Sequence, residues 1–297
     1  TISADELRFY RMIRGGGAGI GGNVDSINPY LNADNDYQEL LFRTSEKHTV
    51  NLSLSGGSKG VTYYGGLNYV DNQAIALNSW IKRIQSKLNV EYALSDKLTI
   101  SNNLAFAYQT GNILNIQNTA RQIFERNPWT SLYRPDGTLA GFTESKRNPV
   151  AFALLDKNID NDYLAQFNTQ AKYKIYKDLS ITTMFNAQLD NQNSRNVTPA
   201  IINNAAFSTG TGSTERKVYW ESQTYMNYNK TFGKDHTVTG VAGFTADRRR
   251  RDEYRIRVEE LLSDDIFTSN VGIIDPTNTG TFATANSNVS LLARGSY

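Results

Sequence analysis

Strict alternation of apolar and polar side chains is the feature that most constrains how this chain can fold. In "HTVNLSLSGGSKGVTYYGGLNYVDN", the alternation covers residues 50–54, is interrupted by a turn at 56–60, and resumes through 61–69. A period of two around a glycine-containing turn predicts an antiparallel β-hairpin. The pattern leaves open where the apolar face goes, because a soluble sheet buries it against a second layer and a membrane barrel shows it to lipid.

The same alternation recurs in pairs of segments along the rest of the chain. The members of each pair are separated by the short turns "LSDK", "YKD" and "GKD". Longer links between pairs are predicted at residues 72–80, 111–162, 192–215 and 248–287. In an antiparallel meander every second connection lies at the same end, so one end carries short turns and the other long loops. This is the asymmetry of outer-membrane barrels, which have periplasmic turns and extracellular loops.

Strand length and strand number favour the same interpretation. Several segments alternate for eleven to thirteen residues, whereas strands of soluble proteins average roughly five or six. The chain offers about nine such strands, the last in "NVSLLARGSY", and barrels of this kind use even numbers. We therefore predict an all-β fold that is part of a large antiparallel transmembrane β-barrel. A lead-in segment with a Gly-rich stretch is predicted at 1–47 and a partial barrel at 48–297.

The two faces of the predicted strands differ in polarity. One set is apolar and is predicted to face lipid: Leu88, Val90, Leu104, Phe106, Phe167, Ala171, Ile181 and Phe185. The other set is polar and is predicted to face the lumen: Lys87, Asn89, Asn103, Gln166, Asn168, Thr182 and Asn186. A slip of one residue in any register would move that strand's side chains to the wrong face.

Composition excludes several classes of function. The chain has 31 Lys and Arg against 29 Asp and Glu, so its charge does not favour nucleic acid as a partner. It has no apolar run of the roughly 18 to 20 residues that a spanning helix needs. Cysteine is absent, and the only histidines, His48 and His236, are predicted at opposite ends of the strands. We therefore predict no enzyme activity, no catalytic residues, no cofactor and no metal.

Three stretches carry a pattern that matches a known family. "DYQELLFRTSEKHTVNLSLSGGSKGVTYYGGLNYVDNQAI" has an acidic-aromatic start, Phe-Arg-Thr and alternating strands, with Ala74 where a glycine is usual. "RNPWTSLYRPDGTLAG", followed by "RNPVAFAL", has the proline-aromatic, Asp-Gly and Asn-Pro stretches of that family's long surface loop. "LLARGSY" is similar to one of the family's strands. Together they resemble the SusC/RagA-like TonB-dependent transporters of the Bacteroidota outer membrane.

That resemblance implies a large barrel closed by an N-terminal plug, capped by a SusD-like surface lipoprotein and powered through the TonB complex. It implies import of an oligosaccharide or peptide across the bacterial outer membrane. We expect the plug, the TonB box and the remaining strands to lie outside these 297 residues. The alternative is a non-transport barrel that acts as a surface adhesin or secretion scaffold, and a plug and TonB box in the full-length protein would favour transport.

The predicted loop at 111–162 carries the candidate binding residues. Loops beyond about 15 residues are usually functional or disordered, and aromatic residues beside Arg and Asp suit a sugar or a peptide. We predict that Trp129, Tyr133, Arg134 and Asp136 bind substrate at the extracellular mouth. The equal alternative is that these side chains only pack the loop against itself or against a partner.

Two further motifs give weaker signals. Gly17, Gly19 and Gly22 form a G-x-G-x-x-G, but no strand precedes it as a dinucleotide site would require, so a loop is predicted. Asp156, Asn158, Asp160 and Asp162 alternate as calcium ligands might. Position six of that loop lacks glycine and position twelve lacks glutamate, so a solvated polar loop is the preferred interpretation.

An arginine-rich stretch, "DRRRRDEYRIR", follows a strand at the predicted long-loop end. It contains Arg248, Arg249, Arg250, Arg251, Arg255 and Arg257. Guanidinium groups bind phosphate in a bidentate manner, so contact with lipopolysaccharide phosphates or an acidic partner is one interpretation. The preferred alternative is a solvated strand extension paired to Glu253, Glu259 and Glu260.

Overall fold

The computed structural model describes residues 33–114, 121, 123–126, 128, 130–134, 136–143, 146–264, 268 and 270–297. Nine long strands within these residues are β1 (Glu46–Ser58), β2 (Val61–Gln73), β3 (Trp80–Ala93), β4 (Leu98–Asn112), β7 (Lys157–Tyr176), β8 (Leu179–Thr198), β9 (Ser208–Phe232), β10 (His236–Leu261) and β12 (Gly280–Ser296). They form one antiparallel sheet in which consecutive long strands are neighbours. The fold is all-β, as the alternation predicted.

Shorter elements lie in the connections at one end of this sheet. They are α1 (Tyr37–Leu41), β5 (Phe142–Thr143), β6 (Lys146–Arg147), α2 (Pro149–Leu155), α3 (Ala200–Asn203) and β11 (Ile273–Ile274). Strands β5 and β6 pair with each other, and β11 adds to the edge of β10. No helix among the described residues is long and apolar enough to cross a membrane.

The connections alternate between short and long, but the predicted bounds of the long links are wrong. The links run over 74–79, 113–156, 199–207 and 262–279, so all four are shorter than the sequence indicated. Strands β9 and β10 reach 25 and 26 residues, beyond the predicted eleven to thirteen. Residues 208–217 of β9 are polar on both faces, and the arginine run 248–251 interrupts the alternation of β10, which resumes at Tyr254, Ile256 and Val258.

The strand registers place the two predicted sets of side chains on opposite faces. Leu88, Leu104 and Phe167 are direct cross-strand partners, and partners across an antiparallel pair lie on the same face. On the other face, Asn89, Asn103 and Asn168 are direct partners. All fifteen residues of the two sets follow the same parity without a register shift between them, so the predicted separation is confirmed.

Among the residues that the structure describes, none forms a second layer over the apolar face of the sheet. Leu88, Leu104 and Phe106 are 43%, 44% and 45% exposed, although a soluble sandwich would bury such side chains. Within the described residues, β1 pairs only with β2 and β12 only with β10, so the sheet does not close. An open antiparallel sheet with one apolar and one polar face is a section of barrel wall.

The larger buried cluster of the described residues lies at the long-loop end, outside the sheet, and a smaller one joins Val197, Val258 and Leu261 at the outer ends of β8 and β10. The larger cluster joins α1, the 74–79 link, the 113–156 loop and α3 through buried side chains of Tyr37, Leu41, Ala76, Leu114, Ile123, Leu132, Val150, Ala151, Phe152, Ala153 and Ile202. We call this assembly the loop-end layer. Four segments that are distant in sequence thus form one packed body on the rim of the sheet.

Candidate functional site

The lead-in segment before β1 is fastened to the long loop. The Asp36 carboxylate caps α1 by accepting from the backbone N–H groups of Gln38 and Glu39 at 2.8 and 3.2 Å, as an N-cap residue does. The Tyr37 hydroxyl donates to the carbonyl oxygen of Thr130 at 3.1 Å. Asn35 also donates its side-chain amide to that oxygen at 2.8 Å. These bonds position the loop over the first strands.

Arg43 holds the link between β2 and β3. Its Nε donates to the carbonyl of Ala74 and its Nη2 to the carbonyl of Ser79, each at 3.2 Å. The backbone N–H of Arg43 donates to the carbonyl of Ile75 at 2.8 Å. The Arg43 guanidinium therefore donates to backbone carbonyls at both ends of the 74–79 link and holds that link in one conformation.

Asn148 is the central polar residue of the loop-end layer and is 1% exposed. Its Oδ1 accepts from the N–H groups of Val150 and Ala151 at 3.0 and 3.4 Å, which caps α2. Its Nδ2 donates to the carbonyls of Leu132 and Ala140 at 3.0 and 2.6 Å. The side chain thus joins a helix start to two segments of the long loop. Asn followed by Pro is a helix-start signal that the sequence analysis did not use.

The candidate residues Tyr133, Arg134 and Asp136 lie together at the tip of this loop. A bridge between Tyr133 and Leu139 encloses a turn in which the N–H of Gly137 donates to the carbonyl of Arg134 at 2.9 Å. Gly137 has a φ of 82°, which only glycine adopts without strain. Trp129, the fourth candidate, lies outside the described residues.

Within the tip, the side chains differ in what they offer a ligand. The Asp136 carboxylate accepts from the N–H and the hydroxyl of Thr138 at 2.9 and 2.6 Å. Those hydrogen bonds hold the pKa of Asp136 below its usual value. Tyr133 is 43% exposed and Arg134 is also exposed. Asp136 therefore shapes the turn, while Tyr133 and Arg134 present their side chains to solvent.

The predicted solvated loop at Asp156, Asn158, Asp160 and Asp162 is wrong, because β7 begins at Lys157. Asp160 accepts from the Ser194 hydroxyl at 2.5 Å on the neighbouring strand. Asp156 is buried beside the Thr198 hydroxyl, and burial raises its pKa. No group of three or more His, Asp or Glu side chains in the described part of the chain is arranged to hold a metal ion.

The histidines and the glycine motif add no site. His48 lies near the start of β1 at the loop end, and His236 begins β10 at the short-turn end. The His236 Nδ1 lies 2.5 Å from the Tyr297 hydroxyl. The glycine motif at Gly17, Gly19 and Gly22 lies outside the described residues.

The polar face carries a continuous ladder of amide side chains. The Asn103 amide donates to Asn168 at 3.0 Å, Asn168 donates to Asn186, and Asn186 donates to the Glu221 carboxylate at 3.1 Å. A parallel bond joins Gln166 to Gln188 at 3.1 Å. These residues line a shallow depression of about 360 Å³. The ladder gives the polar face a surface of hydrogen-bonding groups with few charges.

The arginine-rich stretch belongs to the outer part of β10 and is extensively paired. Arg251 lies 2.6 Å from Glu215 and 3.0 Å from Glu253. Arg255 lies 2.8 Å from Glu253. Arg257 lies 3.4 Å from Glu259. This is the arrangement of a strand extension whose arginines pair with nearby acids.

Comparison with known proteins finds relatives that align with nearly the whole chain, although no family model matches it. The chain is 28% identical to TonB-dependent receptor P39 of Formosa agariphila over 97% of its own length and 28% of that protein's length. It is 22% identical to TonB-dependent receptor SusC of Bacteroides thetaiotaomicron over 100% of this chain and 31% of that protein. These relatives are named receptors and not enzymes.

Solved structures give the same fold. The chain matches the RagAB peptide importer in its "open-open" state with a TM-score of 0.74 and 17% identity, covering 99% of this chain and 37% of that one. A second structure, of the RagAB peptide transporter, matches with a TM-score of 0.72. The chain spans less than a third of P39 and of SusC. The predicted resemblance to SusC/RagA-like TonB-dependent transporters is thus confirmed, and the fold of this chain is that of part of their barrel.

Proposed function

We propose that the protein containing this chain imports a nutrient, an oligosaccharide or a peptide, across the bacterial outer membrane as the barrel of a SusC-like transporter. The observation that carries this proposal is the sheet itself. Its apolar face is exposed, its opposite face carries the amide ladder from Asn103 to Glu221, and its fold matches an importer barrel. Such a wall separates lipid from a polar passage.

The orientation follows from the two kinds of connection. Short turns are periplasmic and long loops extracellular in outer-membrane barrels, so the loop-end layer is proposed to lie at the cell surface. A SusD-like lipoprotein would dock on that side, and a plug reached by TonB would occupy the polar passage. The division into a lead-in segment at 1–47 and a partial barrel at 48–297 is part of this proposal.

Substrate contact is proposed for the loop tip. Trp129, Tyr133, Arg134 and Asp136 remain the candidate set, with Asp136 acting through the turn that it stabilises. Tyr133 supplies an aromatic surface, and Arg134 supplies a planar donor for carbonyl, carboxylate or hydroxyl oxygens. Neither residue lies in the strands that contact lipid, so barrel assembly does not depend on them.

The experiment replaces Tyr133 and Arg134 together by alanine in the full-length protein. We expect slower growth on, and slower uptake of, the nutrient that the deletion strain fails to use. The matched control replaces Tyr176 and Lys234, an exposed pair at the short-turn end, and should leave uptake unchanged. Surface labelling and a heat-modifiable band confirm assembly of both variants.

Two outcomes would contradict the proposal. If the deletion strain grows normally on every oligosaccharide and peptide tested but loses surface attachment, the adhesin or scaffold alternative is correct. If uptake depends on the protein but the Tyr133 and Arg134 variant imports normally, the loop tip only packs the loop-end layer. The transport proposal and the binding-site proposal therefore fail separately.

A further inference from the structure

The register of β10 divides the arginine-rich stretch between the two faces of the sheet. Arg248 and Arg250 pair across to Trp220 and Val218 of β9. Trp220 is in turn the direct partner of Ala187 of β8, which belongs to the row of Phe167 on the apolar face. Arg248 and Arg250 therefore continue the apolar face, whereas Arg249 and Arg251 lie on the polar face.

The polar-face arginines already have partners. Arg249 lies over the Tyr219 ring at 5.3 Å, and Arg251 and Arg255 form the ion pairs with Glu215 and Glu253 described above. Two carboxylates, Glu215 and Glu253, therefore offset two of these three arginine charges.

The apolar-face arginines are joined by a third one and are less well matched. Arg216 of β9 lies directly opposite Asp252 of β10, and Arg250 binds that aspartate at 2.8 Å. Arg216, Arg248 and Arg250 are all exposed. Within the described part of the chain neither Arg216 nor Arg248 forms an ion pair. The group, which we call the outer arginine cluster, thus has three guanidinium groups and one carboxylate.

The position of the outer arginine cluster is as informative as its charge. On this face the arginines follow apolar positions of the sheet: Arg248 follows Ala246 on β10, Arg216 follows Val218 on β9, and Trp220 lies directly opposite Arg248. Tyr254, Ile256 and Val258 continue the same face of β10 beyond the arginines, toward the loop end. Trp at the edge of an apolar band marks the membrane–water interface. Arginines that follow such an edge lie at the depth of lipid headgroups, where anionic phosphate is found.

We propose that Arg216, Arg248 and Arg250 form a binding site for the phosphate groups of an outer-leaflet glycolipid of the lipid A type. The acyl chains of such a lipid would cover the exposed apolar face below, near Trp220 and Val218, while its phosphates accept from the guanidinium groups. A soluble phosphate has no acyl chain to use that surface. An acidic protein would have to displace lipid from it.

The site rests on the outer-membrane placement in the proposed function, which is checked separately by a heat-modifiable band in the outer-membrane fraction. The test uses the full-length protein purified in detergent and titrated with phosphorylated lipid A. Native mass spectrometry counts the lipids retained per protein. The outer variant, R216Q/R248Q/R250Q, removes three charges from the outer arginine cluster. It is compared with the polar-face variant, R249Q/R251Q/R255Q, which removes the same charge from the polar face.

We expect the outer variant to bind phosphorylated lipid A roughly 100-fold more weakly, since each of its three arginines contributes about a fivefold factor near an anionic lipid. The polar-face variant should change affinity by less than about threefold, because its arginines are screened and face away from lipid. Dephosphorylated lipid A should bind wild-type protein as weakly as the outer variant binds the phosphorylated form. The single variant R248Q should show an intermediate loss if the triple variant fails to assemble.

Three results would overturn the proposal. The first is wild-type retention of lipid A by an assembled outer variant or by R248Q. The second is an equal loss in both triple variants, which would assign the effect to net charge. The third is displacement of lipid A by inorganic phosphate at equal concentration, which would identify a site for free phosphate and not for a glycolipid.

Discussion

Replacing Asn148 by aspartate tests whether the loop-end layer is held by one amide group. The two side chains have nearly the same volume, so no cavity forms. The new carboxylate would keep the oxygen that caps α2 but would place a second oxygen 3.0 and 2.6 Å from the carbonyls of Leu132 and Ala140. The Ala140 carbonyl would lose its donor, which costs about 1–3 kcal/mol. The Leu132 carbonyl would keep the N–H of Ala140 at 2.8 Å but would face a buried charged oxygen, which adds a further cost. We expect the layer to be destabilised by roughly 2–5 kcal/mol.

The new carboxyl would also make the loss depend on pH. Burial and two facing carbonyl oxygens disfavour its ionised form, so its pKa in the folded layer lies above the unfolded value of about 3.9. A raised folded pKa contributes stability that is fully present below the unfolded pKa and is lost as pH rises through the folded pKa. The defect of Asn148→Asp should therefore be smallest in acid, where the protonated carboxyl can donate to one carbonyl.

Hydrogen exchange measured by mass spectrometry on the full-length protein gives the local free energy directly. Amides of α2 should exchange roughly 30 to 5,000 times faster in Asn148→Asp at pH 7, while the strands keep wild-type protection. Asn78→Asp is the matched control, because the Asn78 amide makes only a 3.4 Å bond to the Leu154 carbonyl at the rim of the same layer. Wild-type exchange in α2 of Asn148→Asp, or an equal effect of Asn78→Asp, would show that the Asn148 amide does not hold the loop-end layer together.

Two further substitutions test the apolar face and the packing of the layer. Leu104→Arg on the apolar face should destabilise the assembled barrel by roughly 2–4 kcal/mol when unfolding is measured in lipid, whereas Leu94→Arg in the β3–β4 turn should have little effect; equal stability of the two would contradict the lipid-facing placement. Gly141→Ala places a Cβ well inside van der Waals contact with the carbonyl oxygen of Ile201, so we expect faster proteolysis of the 113–156 loop on intact cells. Gly65→Ala, whose Cβ would have its nearest neighbour at 4.0 Å, should leave proteolysis unchanged, and identical digestion of both variants would rule out the close contact.

The candidate site could be predicted only in part. The sequence placed Tyr133, Arg134 and Asp136 in the long loop, and Asp-Gly is a turn signal that the structure uses at Gly137. It did not indicate that the Asp136 carboxylate is bound by Thr138, because such local bonds depend on the final turn geometry. Asn148 was missed as the organising residue, since its two carbonyl partners lie 16 and 8 residues away.

Local polarity was enough to assign the central residues of the strands to the two faces of the sheet and to locate the short turns at "LSDK", "YKD" and "GKD", whereas the turn predicted at 56–60 is confined to 59–60. Period-two polarity is local information, so it holds wherever one face is apolar, as at Leu88, Leu104 and Phe167. Where the long strands end is visible only in the folded structure, because residues 190–196 of β8 and 208–217 of β9 are polar on both faces and the arginine run 248–251 interrupts the alternation of β10. The loop-end layer is likewise visible only in the folded structure, because it depends on contacts such as the hydrogen bond from Tyr37 to Thr130, which are 93 residues apart. The same holds for the face of the sheet on which each arginine of β10 lies. These depend on contacts between distant segments, which no local pattern specifies.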